Sequence, residues 1–272
     1  MTQRIGSGKP EEARAVLNPD EPDRLLRFEY DRGSNYEADT RLTAALSALI
    51  PESDLFNDDH RMFQVVHLVS ELMWCSMHHE LRRVCGALDE DDFGLAARLL
   101  HRTVGLADIP VRCLRLLQDF LPQASFLRLR TVLLSNASGL DSPGARNLRR
   151  AGMAVWRSFE NAVSRHDLTL QDLTEESGRD AGPAAEAWLA ALAAVQHAML
   201  LLDGEIMEWN QRHLLLVRSH LGGHPAAKSG AAAPVSLRGE STKSLERLAE
   251  KALFPRLWQG VDETYARIPR PA

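Results

Sequence analysis

Apolar residues recur along most of the chain at the three- and four-residue spacing of amphipathic helices. Between 63 and 77 the run is apolar on more than one side, which is typical of a helix inside a bundle. Pro51 and Pro122 mark helix ends, and Pro110 leaves open a break in the second long helix. Helices are therefore predicted over 42–49, 63–77, 91–121, 125–134, a segment ending at about 165, 184–221, 243–253 and 255–266.

The remaining segments have no helical or strand period. No stretch of useful length alternates apolar and polar residues, and no repeat of fixed period is present. Residues 1–35 are polar and rich in Gly, Pro, Asp and Arg, so we interpret them as a mobile N-terminal arm. We expect residues 36–272 to form one all-α domain, a bundle of long helices. Loops are predicted at 52–60, 135–144, 174–183 and 222–243, the last either flexible or ordered by a ligand.

Composition and charge argue against a nucleic-acid-binding, secreted or membrane protein. The 272 residues carry a net charge of -5, without the basic surplus that nucleic-acid binding requires. The three cysteines lack CxxC spacing, which fits a reducing compartment. The N-terminus lacks the apolar core of a signal peptide, and the apolar stretch 187–202 is interrupted by Gln196 and His197 and is too short to span a bilayer. We therefore expect a cytoplasmic, soluble protein with no nucleic-acid or membrane partner.

Two histidines stand in strongly apolar helical surroundings. His67 lies in FQVVHLVSELMW and His213 lies in EIMEWNQRHLLLVRSHLGG. Each is either a core histidine bonded to a carbonyl or carboxylate, or a ligand of a haem iron, which needs one strong axial ligand and apolar walls. HExxH, P-loop and GxSxG motifs are absent from the sequence. The neighbouring His78, His79 and Glu80 do not share a helix face, so a shared metal ion is not expected there.

Two segments in the first half of the chain resemble tryptophan 2,3-dioxygenases. In DDHRMFQVVHLVSELMW, an acidic-His lead is followed by Phe63, then His67 four residues later, then Glu-Leu. In SFLRLRTVLLSNASG, Phe126 and Arg130 precede a run similar to the family's Leu-Ser-x-Ala-Ser-Gly, with one extra residue before the serine.

Two further segments follow in the family's order. IMEWNQRHLLLVRSHLGG places Trp209 and His213 where the family has its Trp and His, and FPRLW at 254–258 is similar to the closing segment. Together the four segments extend over roughly residues 36–266. The chain thus resembles the tryptophan 2,3-dioxygenase superfamily of haem-dependent aromatic oxygenases.

The resemblance implies a cofactor and the residues that hold it. The helical bundle would enclose a b-type haem, with His213 as the axial ligand of the iron and Trp209 beside the cofactor. His67 would be the distal histidine, with a catalytic role over the substrate. A neutral imidazole suits both places, because it can bind a metal or hydrogen-bond an indole N–H.

The resemblance also implies a site for an aromatic amino acid. Arg130 would hold the carboxylate of the substrate, since guanidinium presents a planar fork that matches a carboxylate. Arg128 is close by and is the alternative clamp. Phe63 and Phe126 would wall the aromatic ring, and His67 would contact it. O2 would be the second substrate, and the family suggests a homotetramer or homodimer.

The departures from the family lie around the substrate. In residues 222–240, GGHPAAKSGAAAPVSLRGE replaces the family's loop of glycines and threonines, and Ser219 replaces an arginine. Tyr36 matches the first of two family tyrosines, whereas Asp39 stands at the second. The residues that would hold the haem and the substrate carboxylate are retained, whereas the loop is altered. We therefore expect a changed substrate or a changed reaction product.

The predicted function is monooxygenation of tryptophan or a substituted tryptophan, such as β-methyltryptophan, to an oxindole in secondary metabolism. Three alternatives stay open on the sequence. They are a haem-dependent tyrosine hydroxylase of the same superfamily, a tryptophan 2,3-dioxygenase that gives N-formylkynurenine, and a haem-binding protein without turnover.

Overall fold

The computed structural model describes residues 14–134, 142–178, 187–227, 234–237, 239, 241 and 243–267. Within these ranges the chain is predominantly helical, with ten α-helices and two short strands, so the predicted all-α class is confirmed. The strands are β1 (Arg14–Val16) and β2 (Glu29–Asp31). The helices are α1 (Asn35–Thr40), α2 (Leu42–Leu46), α3 (His60–Asp89), α4 (Phe93–Phe120), α5 (Gln123–Leu129), α6 (Pro143–Arg165), α7 (Leu170–Ser177), α8 (Ala187–Leu221), α9 (Lys243–Ala249) and α10 (Pro255–Arg267).

The chain divides into two compact units, residues 1–65 and 66–272. In the first unit, β1 and β2 pair antiparallel with Ala15 opposite Tyr30. The sequence analysis gave no strand in this region, because a strand of three residues is too short to show an alternating pattern. Residues 1–13 lie outside the described residues, and the mobility of the arm stays a prediction.

The second unit is built around α8. This helix packs most extensively against α4 and also contacts α7, α9 and α5. Large apolar side chains at the centre of the unit have no exposed surface, among them Leu81, Leu100, Phe159 and Met199. Their burial removes apolar area from water, which is the main favourable term in folding.

Helix α4 runs through Pro110 without a break. The alternative of two helices separated at Pro110 is therefore wrong. Proline removes one backbone hydrogen bond and crowds the preceding turn. Pro110 is itself buried, and the packing of α4 on α8 outweighs that local cost.

Helix α7 lies partly in the segment 174–183 that the sequence predicted as a loop, and the prediction is wrong for residues 174–177. The helix starts with a capping box, in which the side chains of Thr169 and Asp172 each accept a backbone N–H of the other residue. Leu173 is fully buried, so this short polar helix is held by its N-terminal cap and by packing against α8. Residues 179–186 are outside the described ranges.

The start of α6 approaches α3 very closely at Gly144. The N–H of Gly144 donates to Oε2 of Glu71 at 3.0 Å. A Cβ at this position would lie 2.4 Å from the Cβ of Trp74, a distance that real side chains do not adopt. Only glycine therefore allows α6 to pack at this depth against Trp74.

Asp203 of α8 fixes the segment that leads into α10. Its carboxylate is fully buried and accepts from the N–H of Leu253 at 2.7 Å and of Phe254 at 2.9 Å. It also accepts from Nε1 of Trp258 at 3.0 Å. Three donors satisfy the buried carboxylate, which would otherwise carry a large desolvation cost.

Helix α8 is longer than the apolar stretch that the sequence analysis considered too short for a membrane. Among the described helices it is the one long and apolar enough to cross a bilayer by length and composition, with a mean hydropathy of 1.4 over its best window. Within that window, 44% of the helix is buried inside the protein. Its packing against α4 accounts for its apolar composition.

Candidate functional site

His213 lies on α8 with its imidazole set among protein atoms. The side chain keeps some accessible surface, but burial and, to a smaller extent, the charge of the nearby His67 together lower the pKa of His213 to about 4. No hydrogen bond joins this ring to any described residue. The imidazole is therefore neutral near pH 7, and an electron pair is free for a ligand.

Trp209 lies one helical turn before His213. The two ring centroids are 5.2 Å apart, with an interplanar angle of 37°. The edge of Trp209 meets the ring of Trp74 from α3 at 5.4 Å and 89°, which is a favourable aromatic geometry. Nε1 of Trp209 is buried and has no hydrogen-bond partner among the described residues. A buried N–H without an acceptor is costly, and no acceptor for this donor lies in the part of the chain that the structure describes.

His67 lies on α3 with an exposed side chain, and its electrostatic effect on His213 shows that the two imidazoles are near each other. The structure thus brings together two of the predicted site residues from helices far apart in sequence. Phe63 lies four residues before His67 on the same helix, within the first compact unit. The i and i+4 positions of a helix share one face.

The predicted substrate residues Phe126 and Arg130 lie at α5. Phe126 meets the ring of His220 edge-on, with centroids 5.3 Å apart. Arg130 caps the end of α5, is half-buried, and donates from Nη2 to the carbonyl of Val235 at 2.6 Å. Arg128 is exposed, and its side chain forms no hydrogen bond or ion pair with a described residue. Of the two candidate clamps, Arg130 is the one with a defined position.

His220 is a structural residue of this region that the sequence analysis missed. Its ring is buried, with Nε2 2.8 Å from the carbonyl of Leu121 and Nδ1 3.0 Å from that of Leu216. These contacts join the end of α8 to the junction of α4 and α5. The available signal was its position seven residues after His213, on the same face of an apolar helix.

The end of α8 leads into the altered loop. Gly222 and Gly223 both adopt positive φ angles, of 90° and 83°, which favour glycine. Arg218 forms an ion pair of 2.9 Å with Glu246 of α9, and its Nε is buried without a partner among the described residues. The hydroxyl of Ser219 donates to the carbonyl of Leu216. Residues 228–233 of this loop and the predicted Ser-x-Ala-Ser-Gly motif at 135–139 lie outside the described residues.

The donors present fit a haem better than a metal ion held by several side chains. Among the described residues, no group of three or more His, Cys, Asp or Glu side chains is placed to hold an ion. At the adjacent histidines of α3, Glu80 instead pairs with Arg83 and Arg102 at 3.1 Å each. A haem iron needs only one strong protein ligand, and the neutral imidazole of His213 meets that requirement.

Comparisons with known proteins do not assign the chain to a family. No protein-family model and no curated protein matches the sequence. The function is therefore argued from the residues of the site.

Proposed function

We propose that this chain is a haem-dependent oxygenase that acts on tryptophan or a substituted tryptophan. One observation carries the proposal. It is the desolvated, neutral imidazole of His213, which makes no hydrogen bond to a described residue and lies beside Trp209 and near His67. A core histidine without function normally satisfies its ring nitrogens, as His220 does on the next turns of α8.

Two residues of α8 would hold a b-type haem. His213 would bind the iron through its free nitrogen. The unpartnered Nε1 of Trp209 would donate to a polar group of the cofactor, which supports the fit. When bound, the haem supplies the chemistry that inserts oxygen from O2 into the indole C2–C3 bond, which no amino-acid side chain can perform.

The substrate is positioned by residues of α3 and α5. Arg130 would bind the carboxylate with the N–H donors that Val235 does not use. Phe126 would pack against the aromatic ring, and His67 would accept a hydrogen bond from the indole N–H. Each residue thus binds or orients the amino acid.

The expected product is an oxindole that has gained one oxygen atom. The reason is the sequence of residues 222–240, which lacks the run of glycines and threonines that the family has there. An external two-electron reductant would reach the reacting centre before the ring opens, and its two electrons with two protons would convert the second oxygen atom of O2 to water. The other outcomes are hydroxylation of tyrosine, ring opening to N-formylkynurenine, or haem binding without turnover. A homotetramer or homodimer and a cytoplasmic location remain part of the proposal.

The test of the cofactor assignment uses two histidines of the same helix. Purified protein supplied with haem is expected to show a Soret band, and His213→Ala is expected to lose most of it because the axial ligand is gone. His220→Gln is the control, since both nitrogens of His220 already contact carbonyls. Circular dichroism confirms that both variants are folded. An unchanged Soret band in His213→Ala would contradict the assignment.

A further inference from the structure

The exposed face of α6 carries a row of arginines. Arg146, Arg150 and Arg157 are all exposed, and their spacing of four and seven residues places them on one face of the helix. Arg149 lies on the flank of the same face and is half-buried. We call these four residues the α6 arginine face. Met153, which is also exposed, lies between Arg150 and Arg157 and supplies an adaptable apolar contact.

The α6 arginine face has no counter-charge in the described part of the chain. None of its four guanidinium groups forms an ion pair there, and Arg150 bonds only to the neutral side chain of Asn147. By contrast, Arg115 and Arg165 are each paired with a carboxylate. Burial lowers the pKa of Arg149, because its charge is partly removed from water. Unpaired positive charge concentrated on one face of a chain with a net charge of -5 favours an acidic partner.

The rest of the molecule favours an acidic protein over a nucleic acid or a membrane. Nucleic-acid binders normally carry a basic surplus, which this chain lacks. A helix that binds a membrane surface turns its apolar face to the lipid, but the apolar face of α6 is inside the protein, with Val155 and Phe159 fully buried. The exposed face offers charges and one methionine. Small charged contacts of this kind are typical of transient complexes with electron-carrier proteins.

The buried side of α6 lies against a series of aromatic rings that leads to His213. A Cβ on Gly144 would lie 2.8 Å from Cδ1 of Trp74, so the first turn of α6 touches this indole. Trp74 meets Trp209 with ring centroids 5.4 Å apart, and the ring of Trp209 lies 5.2 Å from that of His213. A partner on the α6 arginine face would be separated from Trp74 by the width of one helix, about 10 Å.

We propose that the α6 arginine face docks an acidic one-electron carrier protein of the ferredoxin or flavodoxin class. The choice of carrier rests on the proposed function, because monooxygenation needs two electrons in addition to O2. Two carrier molecules in succession each lose one electron at this face. The two electrons and two protons reduce one oxygen atom of O2 to water, while the other atom enters the indole.

Docking is tested with a plant-type ferredoxin and a flavodoxin as probes, on the haem-free and the haem-loaded chain. Biolayer interferometry measures the affinities. In Arg146→Gln/Arg150→Gln/Arg157→Gln they are expected to fall about tenfold, as for the loss of three exposed charge pairs. The affinity of the wild type is expected to fall with added salt, which screens exposed charges.

The matched control removes the same charge from other elements. Arg24→Gln/Arg98→Gln/Arg247→Gln replaces three exposed arginines that form no ion pair with a described residue, and it is expected to bind both carriers as wild type does. Equal affinities of the two triple variants would overturn the proposal. So would a failure of the wild type to bind either carrier, or tighter binding of duplex DNA or of anionic vesicles than of the carriers.

Electron delivery is tested in the haem-loaded chain by stopped-flow absorbance without O2. Reduction by limiting amounts of reduced ferredoxin is expected to be about tenfold slower in the α6 triple variant, in step with its affinity, and reduction by dithionite is expected to be unchanged. Equal slowing with dithionite would show that the substitutions disturb the haem site, and it would overturn the proposal. If the chain binds no haem, the proposed function fails, whereas the affinities of the haem-free chain still decide whether this face docks the carrier.

Discussion

Two histidines on α8 differ in what their ring nitrogens contact, and that difference separates a structural residue from a candidate ligand. His220 contacts the carbonyls of Leu121 and Leu216, so its imidazole serves to join helices. His213 lies seven residues earlier on the same face and makes no such bond to a described residue. At the residue scale, His213 and not His220 is therefore the candidate ligand of a cofactor.

The environment of His213 predicts a pH dependence of stability in haem-free protein. The pKa of His213 is about 4 in the folded protein and 6.5 in the unfolded chain. Between these two pH values, the imidazole is protonated in the unfolded chain and neutral in the folded protein. Stability is unaffected above 6.5 and falls as the pH drops toward 4, by roughly 3 kcal/mol in total. In His213→Leu this contribution is absent. Urea unfolding of both proteins at pH 7 and pH 4.5 measures it, and a pH-independent difference between them would contradict the burial of a neutral imidazole.

Arg130 predicts a specific loss of substrate affinity. Arg130→Leu removes a charge-assisted contact and is expected to weaken tryptophan binding by roughly one to three decades, with little change in haem binding. Arg128→Leu is expected to bind tryptophan as wild type does, because its side chain is exposed. Calorimetric titration of the haem-loaded variants gives both affinities. If Arg128→Leu shows the loss and Arg130→Leu does not, the clamp has been assigned to the wrong arginine.

At the element scale, the contact between α3 and α6 positions the aromatic residues beside His213. Gly144 lets the first turn of α6 lie against Trp74, and Trp74 in turn meets Trp209 edge-on. The chain of contacts runs from α6 through α3 to α8. A change at Gly144 therefore acts on the site through packing.

Gly144→Ala is expected to destabilise the protein by roughly 1–3 kcal/mol, because the new Cβ overpacks the Cβ of Trp74. Gly105→Ala is the matched control. Gly105 is exposed inside α4 with no atom within 4 Å of a new Cβ, so alanine is expected to stabilise by roughly 0.5–1 kcal/mol. Urea denaturation measures both changes. A neutral Gly144→Ala would show that α6 packs less closely on α3.

Helices with a long apolar face could be predicted from the sequence. Helices that depend on a cap or on packing against distant elements could not. Helices α4, α6 and α8 could be predicted close to their observed ends, because their apolar faces are long and the residues that end them are clear. The sequence pattern places the end of α5 near residue 134, although the helix ends at Leu129. Helix α7 was not predicted, because it has few apolar residues and depends on a capping box and on packing against α8.

At the scale of the whole molecule, the site depends on helices that the sequence separates widely. The pattern along α3 and α8 gives the faces on which His67 and His213 lie, but not the distance between the helices. Their electrostatic proximity and the orphan Nε1 of Trp209 appear only once the helices are packed. Likewise, the bond from Arg130 to Val235 joins segments that no local pattern connects.

The central claim is that this molecule inserts one oxygen atom from O2 into an indole ring. The most direct measurement is the mass of the product from tryptophan and from β-methyltryptophan, with haem-loaded protein under 18O2 and a two-electron reductant such as ascorbate. The account predicts a closed-ring product that is heavier than the substrate by one labelled oxygen atom. Ring-opened product with two labelled atoms, or label only in products of tyrosine, would contradict it, as would haem-loaded protein that converts none of these amino acids.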